Sequence, residues 1–90
     1  MALHWPDKDP DDILDYAVSW AARLAGDTIV SSTWIVPDGI TKDSDSKTDT
    51  VTTIWLSGGS VGTKYTLVNR ITTAAGRQID QSVAVSVRTA

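Results

Sequence analysis

The sequence predicts an all-β protein, an antiparallel sandwich of five to seven strands with an extended N-terminal arm. Strand-favouring Thr, Val and Ile are frequent, whereas good helix formers are scarce outside a few Ala and Leu. Several segments alternate apolar and polar residues with a period of two, and clusters of Asp, Ser, Gly and Pro separate them. A length of 90 residues allows one domain with one small core.

We interpret residues 1–12 as an arm and residues 13–90 as a single sandwich domain. Pro6 and Pro10 bracket an acidic stretch that suits neither a helix nor the interior of a sheet. Two arrangements remain open for the arm. It is a disordered terminus, or it docks its one large apolar group, Trp5, on a neighbour or on its own domain.

The first strand is expected between Ile13 and Ala22. Its bulky side chains fall on one face without a miss: Leu14, Tyr16, Val18 and Trp20. A helix from Asp11 to Leu24 is the alternative, because an Asp can cap it and several Ala suit it. The unbroken alternation favours the strand, with a turn at Gly26-Asp27.

The second strand is expected from Thr28 to Val36, with both faces partly covered. Its two predicted faces are Val30, Trp34 and Val36, and Ile29, Thr33 and Ile35. Pro37-Asp38-Gly39 then forms a turn, because Pro fixes φ and Gly permits positive φ. Ile40 and Thr41 form at most a short strand, and the polar residues 42–49 are predicted as a loop or a flexible hairpin tip.

Three further strands complete the predicted sandwich. They cover Thr50–Leu56, Tyr65–Thr73 and Gln78–Arg88, and each alternates apolar with polar residues. Glycines at 58–59 and the turn Ala75-Gly76-Arg77 separate them. The predicted core contains Trp34, Leu67, Val83 and Val85.

Two aromatic residues make this sandwich immunoglobulin-like. Tyr65 follows Gly62 at the start of the penultimate strand, where such folds keep a Tyr whose hydroxyl bonds back to the preceding corner. Trp34 lies in an early strand, where they often keep a core Trp. The chain has no Cys, so the disulfide of antibody domains is absent and the likeness is to the wider sandwich class.

Composition excludes several classes of function. Without Cys and with one His, the chain cannot build a thiolate or multi-histidine metal site or use a Cys nucleophile. A net charge of -3 argues against nucleic acid as a partner. No apolar run is long enough to cross a membrane, and the N-terminus lacks the features of a signal peptide, so we expect synthesis in a cytoplasm.

The motifs that could carry chemistry are weak. His4 lies in the arm, so a triad with a Ser such as Ser57 would need the arm fixed over it. Asp43, Asp45 and Asp49 resemble a calcium loop only superficially, because the central Gly and the terminal Glu are missing. Gly58–Gly62 lacks the residues of a phosphate-binding loop. We therefore expect no enzymatic activity, no cofactor and no metal.

Charge is divided between the two ends of the chain. Acidic residues concentrate in the first half and basic residues in the last third. The arm of one subunit could therefore meet the final strand pair of another copy or of a different protein. The candidate partner-binding residues are Trp5, Asp7, Asp9, Arg70 and Arg77.

One segment, from Trp55 to Arg77, has a specific pattern: W-L-S-G-G-x-x-G-x-x-Y-x-x-x-N-x-I-x-T-x-x-G-R. Together with LDYAVSW at 14–20 and GDTIVSSTWIVPDGI at 26–40, it resembles a family of small virion-associated proteins of tailed bacteriophages and prophages. The resemblance covers the chain from about residue 8. It implies a structural piece of the particle and supplies no catalytic residues.

Two classes of function follow. The first is a multi-copy virion structural module, bound to capsid or to neck and tail proteins and made in the host bacterial cytoplasm. The alternative is an immunoglobulin-like adhesion module that binds a host-surface glycan or protein. A glycan site would use an exposed aromatic residue, Trp5 or Trp55, beside Asp or Asn.

Overall fold

The computed structural model describes residues 3–5 and 7–88, with the backbone alone for Leu3 and His4. The described residues form seven strands and one short helix. In chain order these are β1 (Leu3–His4), β2 (Leu14–Ser19), α1 (Ala21–Leu24), β3 (Ile29–Ile35), β4 (Ile40–Lys47), β5 (Val51–Gly58), β6 (Lys64–Thr73) and β7 (Gln78–Ser86). The all-β prediction is confirmed.

The strands form two sheets that face each other across one core. One sheet has the order β1-β7-β6-β3 and the other β2-β5-β4. Neighbours are antiparallel throughout, except that β1 pairs with β7 in parallel. The grouping of β3, β6 and β7 against β2, β5 and β4 is that of an immunoglobulin-like sandwich.

The core consists of the inward-facing side chains of both sheets. The four residues predicted for it, Trp34, Leu67, Val83 and Val85, are all buried. Trp20, at the end of β2, is the largest fully buried side chain in the described part of the chain. The strand prediction for this segment is confirmed over Leu14–Ser19, but its predicted end is wrong, because Ala21 and Ala22 belong to a single turn of helix, α1.

The predicted tyrosine corner is present. The backbone N–H of Ser60 donates to the Tyr65 hydroxyl oxygen at 2.9 Å. This bond lowers the pKa of Tyr65, because it stabilises the phenolate. Gly59 has a φ of +98°, and a Cβ there would lie 2.6 Å from Val87 Cγ2, so this corner requires glycine.

A buried polar network joins the two sheets where antibody domains carry a disulfide. Asn69 on β6 is fully buried, and its Oδ1 accepts hydrogen bonds from Trp20 Nε1 at 3.1 Å and from the Thr52 hydroxyl at 2.6 Å. Its Nδ2 donates to Ser32 Oγ at 2.9 Å. The network therefore ties β2 and β5 to β6 and β3, with every amide atom of Asn69 in use.

The predicted faces of β3 are wrong at its first half. Val30 is predicted on the same face as the buried Trp34, yet it is 58% exposed, whereas Ile29 is buried. The cause is a β-bulge, because the pairing with β6 shifts between Ile29 and Ser31. One extra residue reverses the alternation on one side of the bulge, which a period-two pattern cannot anticipate.

The prediction of a loop at residues 42–49 is also wrong for most of that segment. β4 continues to Lys47 and pairs with β5 along its length, with a bulge between Lys42 and Ser44. After Ile40 its side chains are exposed, so nothing apolar marks the strand. Polar and charged residues are typical of an edge strand, where they discourage pairing with other chains.

Candidate functional site

Trp5 docks on its own domain. Its backbone N–H donates to the Ala84 carbonyl at 2.8 Å, and its indole stacks on Tyr16 with ring centroids 4.6 Å apart. The side chain is 7% exposed, and Nε1 donates to the Ala17 carbonyl at 3.3 Å. Trp5 is therefore part of the core in this structure, which is the arrangement in which the arm docks on its own domain, and its contact with another subunit stays a prediction.

Lys8 holds the arm against the corner of the sandwich. Its side chain is fully buried, and Nζ donates to the carbonyls of Asp9 and Gly58, both at 2.8 Å. Its backbone N–H donates to the Ser86 carbonyl at 2.9 Å. The sequence does not mark Lys8 as a buried residue, because lysines in proteins are usually exposed and no pattern around Lys8 indicates otherwise.

The acidic residues proposed for the arm have partners within the chain. Asp7 is exposed and forms an ion pair with Arg88, at 3.1 Å. Asp9 is half-buried, and its Oδ1 accepts the backbone N–H of Asp11 at 2.9 Å. The described part of the arm is thus packed on the sandwich, while the division at residue 12 stays a prediction.

The basic residues proposed for the final strand pair are also engaged. Arg70 lies directly opposite Asp80, with contacts of 2.9 Å and 3.1 Å. This pair raises the pKa of Arg70 and lowers that of Asp80. Arg77 pairs with Asp27 at 3.1 Å. The structure does not bring the acidic arm and these two arginines together, and their contact with a partner stays a prediction.

The groups weighed for catalysis or metal binding are dispersed. The side chain of His4 lies outside the described residues. Ser57 Oγ donates to Asp43 Oδ1 at 2.9 Å, while Asp45 pairs with Lys42 at 3.0 Å. Among residues 3–5 and 7–88, no three metal-binding side chains come close enough to hold an ion.

An open cleft of about 690 Å³ lies at the corner between β6 and the end of β7. Its walls include the exposed Val61 and the basic residues Lys64 and Arg88. Arg88 already forms an ion pair with Asp7.

No helix in the described part of the chain is long and apolar enough to cross a membrane.

The outer face of the three-stranded sheet carries an exposed aromatic side chain. Trp55, on the central strand β5, is 41% exposed, and it lies directly between Asp15 on β2 and Ser44 on β4. Ser57 on the same face holds Asp43. We call this surface the Trp55 face; its residues are Asp15, Ala17, Asp43, Ser44, Ser46, Thr53, Trp55 and Ser57.

Two solved structures resemble the chain in fold. One is the endo-fucoidan hydrolase MfFcnA4 from glycoside hydrolase family 107, with a TM-score of 0.70 and 12% identity. The match covers 99% of this chain and 13% of that one. The other is the PKD domain from KIAA 1837 protein, with a TM-score of 0.57 and 22% identity, covering 94% and 82% of the two chains. At these identities the likeness establishes the sandwich fold.

The sequence itself is matched by one family over most of its length. No curated protein matches the chain. The family described as "Podophage GP4 fiber-tail adaptor protein gp77" matches residues 8–86, which include β2 to β7 in full. The chain therefore belongs to the podophage fiber-tail adaptor gp77 family and is a structural protein of the bacteriophage virion.

Proposed function

We propose that this protein is an adaptor module that joins tail fibers to the tail of a podophage. The observation that carries the proposal is the family match over residues 8–86, which spans both sheets. The proteins it touches are then a fiber subunit on one side and a tail or neck subunit on the other. A contact with the capsid has less support, because the description of the family names only the fiber and the tail.

The size of the domain is compatible with two partners at once. Its accessible surface is 5016 Å². A standard interface covers about 800 Å² on each partner, so two of them would occupy roughly a third of this surface. Because the tail of a phage is built from repeated subunits, we propose that several copies are present in each particle, after synthesis in the bacterial cytoplasm.

The role we propose is binding without catalysis. Three basic side chains serve the fold: Lys8 fixes the arm, and Arg70 and Arg77 form ion pairs at the β6–β7 hairpin. The net charge of -3 supports protein partners rather than nucleic acid.

The test is a phage that lacks this chain. We expect particles with complete heads and tails that have lost their fibers, as seen by electron microscopy, and recovery of the fibers when the chain is supplied from a plasmid. Fibers that attach normally without the chain, or its absence from mature particles by mass spectrometry, would contradict the proposal.

A second candidate function is adhesion to a host-surface glycan. The observation that favours it is the exposed indole of Trp55 beside the carboxylate of Asp15, since sugars stack on aromatic rings and donate hydroxyl hydrogen bonds to carboxylates. The measurement is a binding titration of the purified chain with host glycans, in which a Trp55→Thr variant should lose all binding. Equal binding by both proteins would exclude this site.

A further inference from the structure

Trp55 is the one aromatic side chain that the described part of the fold leaves exposed. The other five, Trp5, Trp20, Trp34, Tyr16 and Tyr65, are all buried. Trp55 is 41% exposed on a strand whose inner face is already filled by Ile54 and Leu56. The core does not use this indole, which leaves it accessible to a partner, and Trp is among the residue types enriched at interface hot spots.

Small side chains surround Trp55 on the outer face of its sheet. It lies on the central strand of its sheet, so neighbours flank it on both sides. The next row of the same face consists of Ala17, Thr53 and Ser46, all with small side chains. These small side chains leave the Trp55 ring accessible to a partner.

The charged side chains of the Trp55 face are all acidic. Asp15 and Asp43 flank Trp55 on the two outer strands, and Asp15 forms no ion pair among the described residues. Lys42 and Lys47 of β4 pair with the buried Leu56 and Thr52. Their side chains therefore lie on the side of the sheet that faces the other sheet, away from the Trp55 face, and they stay exposed because β4 is an edge strand. There Lys42 pairs with Asp45, and Lys47 donates to the Ile29 carbonyl at 3.1 Å.

We propose that the Trp55 face is a docking surface for a basic segment of a neighbouring virion protein, in which an Arg or Lys lies over the Trp55 ring and pairs with Asp15. A guanidinium stacks on an indole face and forms bidentate hydrogen bonds with a carboxylate, so one arginine satisfies both groups. Asp43 supplies the same attraction on the other side of the ring. The complementary charge sets the register and speeds the encounter.

The proposal rests on the adaptor function, because that function supplies the protein neighbours. Its experiment compares three variants in a phage whose own copy of the gene is deleted: Trp55→Thr, Asp15→Asn and, as a matched control, Ile35→Thr. Ile35 is an apolar side chain of similar exposure on the outer face of the other sheet. Thermal unfolding of each purified variant first establishes that it folds.

The expected result is a loss of about tenfold or more in the amount of Trp55→Thr protein per particle, the effect of removing a hot-spot side chain. Asp15→Asn should reduce incorporation less, and its difference from the parent should shrink as the salt concentration during assembly is raised, because salt screens the ion pair that only the parent forms. Ile35→Thr should be incorporated like the parent. Normal incorporation of Trp55→Thr, with fibers still dependent on the chain, would overturn the docking surface and leave the adaptor function intact.

A photo-crosslinking residue at position 55 then identifies what covers the face in the assembled particle. We expect a crosslink to another virion protein, in a peptide that contains Arg or Lys. Three results would overturn the proposal: a crosslink to a segment without a basic residue, a crosslink to a second copy of this chain, or glycan binding by the parent that Trp55→Thr loses while it still joins the particle. Absence of the chain from particles would overturn both this proposal and the adaptor function.

Discussion

At the scale of single residues, this domain replaces a covalent cross-link with polar side chains. Asn69 uses both amide atoms to join four strands, and it lies at 0% exposure between Trp20 and Ser32. Such a network stabilises one arrangement of the two sheets only while every member is satisfied. Tyr65 fixes the corner in the same manner, as the acceptor for one backbone N–H.

Replacing Asn69 with Ala should lower the free energy of unfolding by about 2–4 kcal/mol, because the buried Thr52 hydroxyl and Trp20 N–H lose their acceptor. Chemical denaturation with urea measures this change. Thr66→Ala, an exposed change on the same strand, is the control and should stay within about 0.5 kcal/mol of the parent. An equally stable Asn69→Ala protein would show that the network does not stabilise the fold.

Replacing Tyr65 with Phe should cost about 0.5–1.5 kcal/mol, because the ring keeps its packing while the Ser60 N–H loses its acceptor. The same urea titration measures the loss. A variant as stable as the parent would argue against the corner as a source of stability.

At the scale of elements, the arm is the least expected component. Three kinds of contact hold it: the short parallel strand β1, the stacked Trp5 and the buried Lys8. β1 also covers the edge of β7, which would otherwise expose unpaired backbone groups. The arm therefore completes the four-stranded sheet by adding an edge strand beside β7.

Truncating Trp5 to Ala should destabilise the domain by about 3–5 kcal/mol, the usual cost of removing a buried Trp side chain. Thermal or urea unfolding checks this value, and Trp55→Ala is the matched control because Trp55 is exposed. A Trp5→Ala protein with unchanged stability would mean that the arm leaves the domain in solution, which would restore Trp5 as a contact for partners.

At the scale of the whole molecule, stability depends on pH through carboxylates that are ionised in the fold. The pKa of Asp27 lies below its ordinary value of 3.8, chiefly because the Thr73 hydroxyl donates to it, with further bonds from the backbone N–H groups of Thr28 and Ala75. Through these bonds, Asp27 links the connection between β2 and β3 to the turn between β6 and β7. Arg70 lowers the pKa of Asp80 in the same hairpin.

We therefore expect the melting temperature to fall as the pH drops below about 4. A carboxylate with a lowered pKa in the fold contributes stability above its unfolded pKa and loses it as the pH falls through the folded value. An Asp27→Asn variant should melt earlier at pH 7 and lose less on acidification than the parent. Calorimetry between pH 7 and pH 2 measures both effects, with the exposed Asp38→Asn as control. A parent and Asp27→Asn protein with the same pH dependence would contradict this assignment.

The sequence by itself determined the fold class, most strands and the core, because period-two alternation and turn residues are local signals. It also predicted the Tyr65 corner and the phage context, the latter from the spaced pattern between Trp55 and Arg77. The alternation along β5 likewise puts Trp55 on one face of the strand and Ile54 and Leu56 on the other, but it does not determine which of the two faces is exposed to solvent.

Only the tertiary structure decided the rest, because each of these features depends on residues far apart in the chain. The bulge that reverses the faces of β3 arises from its pairing with β6, and β4 reaches Lys47 because it pairs with β5. The burial of Trp5 depends on its contact with Tyr16, and that of Lys8 on its contacts with Gly58 and Val87. The Trp55 face likewise exists only where three strands align, since no local pattern in the chain brings Asp15, Asp43 and Trp55 to one surface.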